Sequence, residues 1–172
     1  IQKYFADSES GLQLDDATKI IGCYKALIKE KLNLGDPMKR AVSFCKSIKS
    51  SETFTKEFQA VINAYLEQNP GLEVKCELDH VDGKMDAAER ETKLNWLKQD
   101  SEDTCRILSN ARCLSEGVDV PSLDAVMFIH GRKSKVDIVQ SVGRVMRTSH
   151  KTNKKLGYVI IPVAIPAGVS PE

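Results

Sequence analysis

The residues best suited to chemistry are Gln140, Arg144 and Arg147. They stand at i, i+4 and i+7, so a helix would carry them on one narrow polar face. Gly143 lies beside them, and a position without a side chain lets another backbone or a phosphate come close. Ile138, Val139, Val142, Val145 and Met146 fall on the opposite side of the same wheel and are expected to bury it. Two guanidiniums within one turn repel each other and make physical sense opposite a concentrated negative charge, such as a triphosphate. The alternative for this face is an ordinary solvated basic helix. Residues 131–155 hold eight basic side chains against one acidic, Asp137, although the 172-residue chain has a net charge of only +1. That balance excludes a global basic attraction to nucleic acid and leaves room for a local patch.

A second candidate segment precedes this helix. Asn110-Ala111-Arg112-Cys113-Leu114-Ser115-Glu116-Gly117-Val118-Asp119-Val120-Pro121 follows an apolar run, Arg106 to Ser109. Pro121 stops a helix or a central strand. Gly117 permits a tight turn. Asp119 then emerges from a loop, where a carboxylate can accept hydrogen bonds from a ribose hydroxyl. Its other reading is a turn residue bonding its own backbone.

Five extended runs alternate with helical stripes and must position these groups. The runs are Ala41–Cys45, Leu72–Val81, Arg106–Ser109, Ala125–Ile129 and Tyr158–Ile161. Several are almost continuously apolar, as strands covered on both faces should be. Between them, Ile20, Ile21, Tyr24, Leu27, Ile28 and Leu32 form one stripe, and Phe54, Phe58, Val61, Ile62, Tyr65 and Leu66 a second. A third helix is predicted from Asp86, with Glu89 three residues on as a capping box and Leu94 and Leu97 facing the core. Trp96 reads as packing. A fourth helix is predicted from Ser134. Strand–helix alternation implies an α/β fold with a mostly parallel sheet, whose ligands bind beyond the carboxyl ends of the strands.

Composition agrees, with 41% hydrophobic and 28% charged residues, which argues against a disordered or collagen-like chain. No apolar run approaches the length that spans a bilayer. Five cysteines without a C-x-x-C pair do not suit a closed disulfide framework, and a reducing, cytoplasmic setting is the expectation. Their spacing to the three histidines matches no zinc pattern, and no metal ligand set is expected within the chain. The first residue is Ile1, and residues 1–14 read as a linker arriving from something upstream.

Taken together, these segments resemble superfamily two helicases. Asn110 to Asp119 is similar to their motif V, and Gln140-Ser141-Val142-Gly143-Arg144-Val145-Met146-Arg147 fits the motif VI pattern Q-x-x-G-R-x-x-R, with 20 residues between Asp119 and Gln140. Arg40 to Ile48 resembles motif IV, a strand running through Phe44-Cys45-Lys46-Ser47 into a helix. His80-Val81-Asp82-Gly83-Lys84-Met85, with Glu89-Arg90, resembles a further segment of the family.

The resemblance implies the second of two RecA-like domains that close over ATP, a three-layer domain over residues 15–166 with a short tail at 167–172. It places Arg144 and Arg147 as arginine fingers on the γ-phosphate, with Gln140 sensing the same region. It puts Gly117, Asp119 and Gly143 at the nucleotide, and Asn110, Arg112, Ser47 and Gly83 at the nucleic acid. Glutamine at position 140 points to the DEAH-like and type III restriction-motor branch.

Two expected parts are absent from the sequence. Gly83-Lys84 is the single Gly-Lys pair, but Met85 follows and Leu78 stands where a phosphate loop needs its first glycine; no Asp-Glu dipeptide occurs. ATP and Mg²⁺ are therefore expected to be held mainly by an upstream RecA-like domain, and this chain alone is expected to be inactive. The expected partners are that domain, DNA or RNA, and in the restriction branch a nuclease domain or subunit, but no membrane. The competing expectation is a non-catalytic nucleic-acid or protein interaction module with a vestigial cleft.

Overall fold

The computed structural model describes residues 14–28, 38–71, 74–101, 104–111, 113–114, 123–130, 138–139, 142–143 and 157–162. In chain order these form helix α1 (Leu14–Leu27), strand β1 (Arg40–Phe44), helix α2 (Ile48–Glu67), strand β2 (Lys75–Val81), helix α3 (Ala87–Lys98), and strands β3 (Thr104–Asn110), β4 (Ala125–Phe128) and β5 (Tyr158–Ile160). The strands make one sheet in the order β2-β3-β1-β4-β5, and every neighbouring pair is parallel. Parallel neighbours cannot be joined by a hairpin and need a crossover connection. The crossover from β1 to β2 runs one way along the sheet and that from β2 to β3 runs back. Right-handed crossovers then put α2 and α3 on opposite faces.

The two cores follow the period of two along each strand. Ala41, Cys45, Ile107 and Met127 point to one face and pack against Ile20, Tyr24 and Leu27 of α1 and Phe58 and Ile62 of α2. Val42, Phe44, Leu108, Val126 and Phe128 point to the other and pack against Leu97 of α3. Every residue of β1 and β4 is buried, which is why those segments are so apolar in sequence. The domain is thus a three-layer α/β sandwich, as the sequence implies.

Local signals set the helix starts. Ser47 caps α2, its Oγ accepting from the Ser50 N–H at 3.1 Å. Asp86 caps α3 at the predicted start, its Oδ1 accepting from the Glu89 N–H at 2.8 Å. At the far end of α3, buried Arg40 donates to the Lys98 and Gln99 carbonyls at 3.2 and 3.3 Å and pairs with Asp100. A guanidinium there satisfies carbonyls the helix leaves open and suits the negative end of its dipole. Arg106 adds a bond to the Gln99 carbonyl at 2.8 Å and lies 5.7 Å from the centre of the Trp96 ring. Trp96 is half-buried against the second core, so it packs as expected. Asp124 Oδ2 accepts from the Lys39 and Arg40 N–H groups at 2.9 and 3.0 Å and pins the entry of β1 beside β4.

Two expectations change. Leu14, the last residue of the predicted linker, already belongs to α1, while residues 1–13 and the tail at 167–172 lie outside the described residues. Val139 does not face the core. Residues 138–139 and 142–143 are helical; Ile138 and Val142 take the sheet-facing side, and Val139 points 69% exposed to solvent. Val145 and Met146, and the predicted helix start at Ser134, lie outside the described residues.

The cysteines are free thiols, four of them buried and Cys113 half-buried. Burial pushes Cys23 up to about 12 and Cys113 up to about 11, and a hydrogen bond between the Cys105 thiol and Cys76, together with burial, raises Cys105 as well. Thiolates, not thiols, react with disulfide reagents. Ellman titration of the native chain at mildly alkaline pH should therefore find almost no reactive thiol, and all five should react once guanidinium unfolds it. Rapid native labelling of Cys23 or Cys105 would contradict this packing.

Candidate functional site

The carboxyl ends of the strands form one rim. Here the chain leaves β1 toward β2 on one side and β4 toward β5 on the other. The loops after these neighbouring strands diverge, the usual place for a ligand in an open parallel sheet.

At the end of β1, the Cys45 N–H donates to the Asn110 carbonyl at 2.8 Å, and the chain turns through exposed Lys46 and Ser47 into α2. The first turn of α2 holds no acidic residue, and Lys49 is exposed on it. Open N–H groups, the positive dipole end and two lysines make this corner favourable to phosphate. At the end of β4, His130 Nδ1 lies 3.5 Å from Ser50 Oγ. Burial, with Lys46 nearby, holds this imidazole below its ordinary pKa, so it is neutral at physiological pH.

A polar ladder crosses the ends of β2 and β3. Ser109 Oγ is 2.6 Å from Ser51 Oγ, which is 2.8 Å from His80 Nδ1. His80 Nε2 is 3.1 Å from Asp82 Oδ2, and Asp82 Oδ1 accepts from the Lys84 N–H at 2.6 Å. That backbone bond, followed by His80, holds the Asp82 carboxyl below its usual range. Ser51 and Ser109 are fully buried, so neither is an accessible nucleophile. Their hydroxyls satisfy one another, as buried polar groups must.

The expected site residues fare differently. Ser47 and Gly83 are exposed on the rim, at the ends of β1 and β2. Asn110 stands at the end of β3 but is fully buried. Its Nδ2 donates to the Ser43 carbonyl at 2.9 Å and its Oδ1 accepts from the Leu114 N–H at 3.4 Å. The side chain therefore holds the turn at 110–114 instead of reaching outward to a nucleic-acid backbone. Gly143 is helical and exposed, and a methyl group there would meet nothing within 4 Å. The described chain does not itself need glycine at that position. Gln140, Arg144, Arg147, Gly117, Asp119 and Arg112 lie outside the described residues.

Sequence reasoning missed the roles of Ser51 and Ser109. The sheet register sets Ser43, Ser109 and His80 level on adjacent strands. Three polar residues at the ends of apolar runs were the available signal, but the register that joins them is not written in any one segment. No helix among the described residues is long and apolar enough to cross a membrane.

An all-parallel five-stranded sheet between two helical layers makes this a RecA-like α/β domain. The chain belongs to the helicase conserved C-terminal domain family, whose model matches residues 23–149. It is similar to the structure of the ATP-dependent Type ISP restriction-modification enzyme LlaBIII bound to DNA, at 38% identity and a TM-score of 0.85, over 99% of this chain and 11% of that one. It is similar over 82 residues, at 34% identity, to a protein of Sulfolobus islandicus filamentous virus (isolate Iceland/Hveragerdi) that carries a helicase name, covering 48% of this chain and 14% of that protein. Domain 2 of the DEAD-box helicase Mss116p, bound to an RNA duplex, shares the fold at 17% identity and a TM-score of 0.52, over 86% of this chain and 51% of that one. The chain thus spans a small part of the restriction enzyme and of the viral protein.

Proposed function

We propose that this domain is the second motor domain of an ATP-dependent DNA translocase or helicase, completing an ATP site whose phosphate cradle and Mg²⁺ carboxylates lie on a separate RecA-like domain of the full-length protein. The observation that carries the reading is the family match. Its span, residues 23–149, includes both the segment from Asn110 to Asp119 and that from Gln140 to Arg147. In this reading Arg144 and Arg147 reach the γ-phosphate across the cleft and Gln140 reports its presence. Gly117 and Asp119 line the nucleotide, and exposed Gly143 lets the neighbouring domain come close. Ser47, with the open start of α2, and Gly83 take phosphates of the nucleic acid, which fix position without reading sequence. Asn110 positions the turn that carries Arg112 toward the same strand.

DNA is favoured over RNA by the likeness to a DNA-bound restriction enzyme at 38% identity, against 17% for the RNA-bound helicase domain. The same likeness, with Gln140, favours the restriction-motor branch and a nuclease in the full-length protein. ATP is the cofactor in this reading, held mainly by the other domain. A finger needs a bound triphosphate to act on, so the present chain should release no phosphate from ATP with or without DNA. The full-length protein should hydrolyse ATP, faster when DNA is added. Phosphate release by this chain alone, or a full-length protein indifferent to both DNA and RNA, would overturn the assignment.

A further inference from the structure

We propose that Glu52, His80 and Asp82 form a binding site for a late first-row divalent cation, for which Zn²⁺ is the natural probe. One ligand atom from each of the three side chains can be chosen so that all lie within 4.8 Å of one another. The ligands of a single ion with bonds of about 2.0–2.2 Å stand no more than about 4.4 Å apart, a span that a small rotation of the exposed Glu52 side chain can reach. His80 Nε2 lies 3.1 Å from Asp82 Oδ2. One imidazole and two carboxylates neutralise a divalent charge and suit zinc and its neighbours better than the all-oxygen shells of Mg²⁺ or Ca²⁺.

The surroundings already orient two of the three ligands. Ser51 Oγ holds His80 Nδ1 at 2.8 Å, and the Lys84 N–H holds Asp82 Oδ1 at 2.6 Å, which leaves Nε2 and Oδ2 toward the site. A histidine ligand needs its second nitrogen to donate a proton, and the ladder can accept it. In the Nε2–H tautomer, Ser51 gives its hydroxyl proton to Nδ1 while Nε2–H faces Asp82. With metal on Nε2, the imidazole proton sits on Nδ1 and is donated to Ser51 Oγ. The Ser51 hydroxyl then donates to Ser109 Oγ, 2.6 Å away, and Ser109 can donate to the Ser51 carbonyl at 3.5 Å. Two hydroxyl rotations and a tautomer change suffice, and no buried group loses its partner. Glu52 follows Ser51 directly and stands exposed just past the first turn of α2, so a cation here would clip α2 to the loop after β2. The ligands come from two elements far apart in sequence, which is why no spacing pattern reveals them.

This inference rests on the ladder geometry and is independent of the nucleic-acid reading of the rim. Calorimetric titration of the chain with Zn²⁺ alone should give saturable one-to-one binding, with a rise in melting temperature. Ser51→Ala removes only the orienting hydroxyl and should weaken binding by about 10–100-fold, and Glu52→Gln, which removes a ligand, by no less. Glu52 is exposed, so its variant keeps the fold and any loss there reads on the site. An absence of saturable binding, or isotherms unchanged in both Glu52→Gln and His80→Ala, would place any bound zinc elsewhere and overturn the proposal.

Discussion

Arg144→Ala in the full-length protein should lower DNA-stimulated ATP hydrolysis by about 10³- to 10⁵-fold, the range an arginine finger contributes to phosphoryl transfer. The transition state spreads charge over the transferred phosphoryl group, and a planar guanidinium meets it with two parallel donors. Arg144→Lys keeps the charge but loses that fork, and should recover only a small part of the rate. The wheel puts Arg144 on the polar face, away from Ile138 and Val142, which pack on the sheet. Neither substitution should therefore shift the melting temperature by more than a surface change does. Steady-state phosphate release at saturating ATP and DNA measures the effect. Turnover equal to that of the unaltered protein would remove Arg144 from the catalytic role.

Phe58→Ala should destabilise the domain by about 3–5 kcal/mol, a large share of the roughly 5–15 kcal/mol that holds an ordinary domain folded. Phe58 is fully buried between α2 and the sheet and meets Phe54 edge to face at 5.6 Å. Its removal costs both the apolar transfer and a cavity that the parallel sheet beneath cannot collapse to fill. The consequence reaches the rim, because α2 carries the Ser47 cap and Ser51 in its first turn. Urea denaturation should show a lower midpoint with an unchanged slope. A loss under about 1 kcal/mol would mean that α2 is not anchored as described.

Much of this fold is legible in the sequence because the strands announce themselves. Ala41–Cys45 is apolar but for Ser43 and Ala125–Ile129 is apolar throughout, and the structure covers both β1 and β4 on both faces. Asp86 with Glu89 marks a helix start by chemistry local to four residues, and the observed cap follows it. What depends on register is not legible in this way. His80, Ser51 and Ser109 meet because β2 and β3 run parallel at one particular offset and α2 lies above them. Nothing in the sequence marks Arg40 for burial, yet it is buried against the end of α3. Asn110 fits a motif position, but its burial turns it inward to the Ser43 carbonyl. Val139 belongs to an apolar cluster on the wheel, but two neighbours one turn apart already fill the sheet-facing stripe and leave it outside.

The most direct measurement is a structure of the full-length protein with DNA and a non-hydrolysable ATP analogue. The guanidiniums of Arg144 and Arg147 should lie within hydrogen-bond distance, about 3 Å, of the γ-phosphate held by the other RecA-like domain, with the Gln140 amide beside them. The same two guanidiniums turned to solvent, or paired with carboxylates of their own domain while the triphosphate is bound, would contradict the central claim.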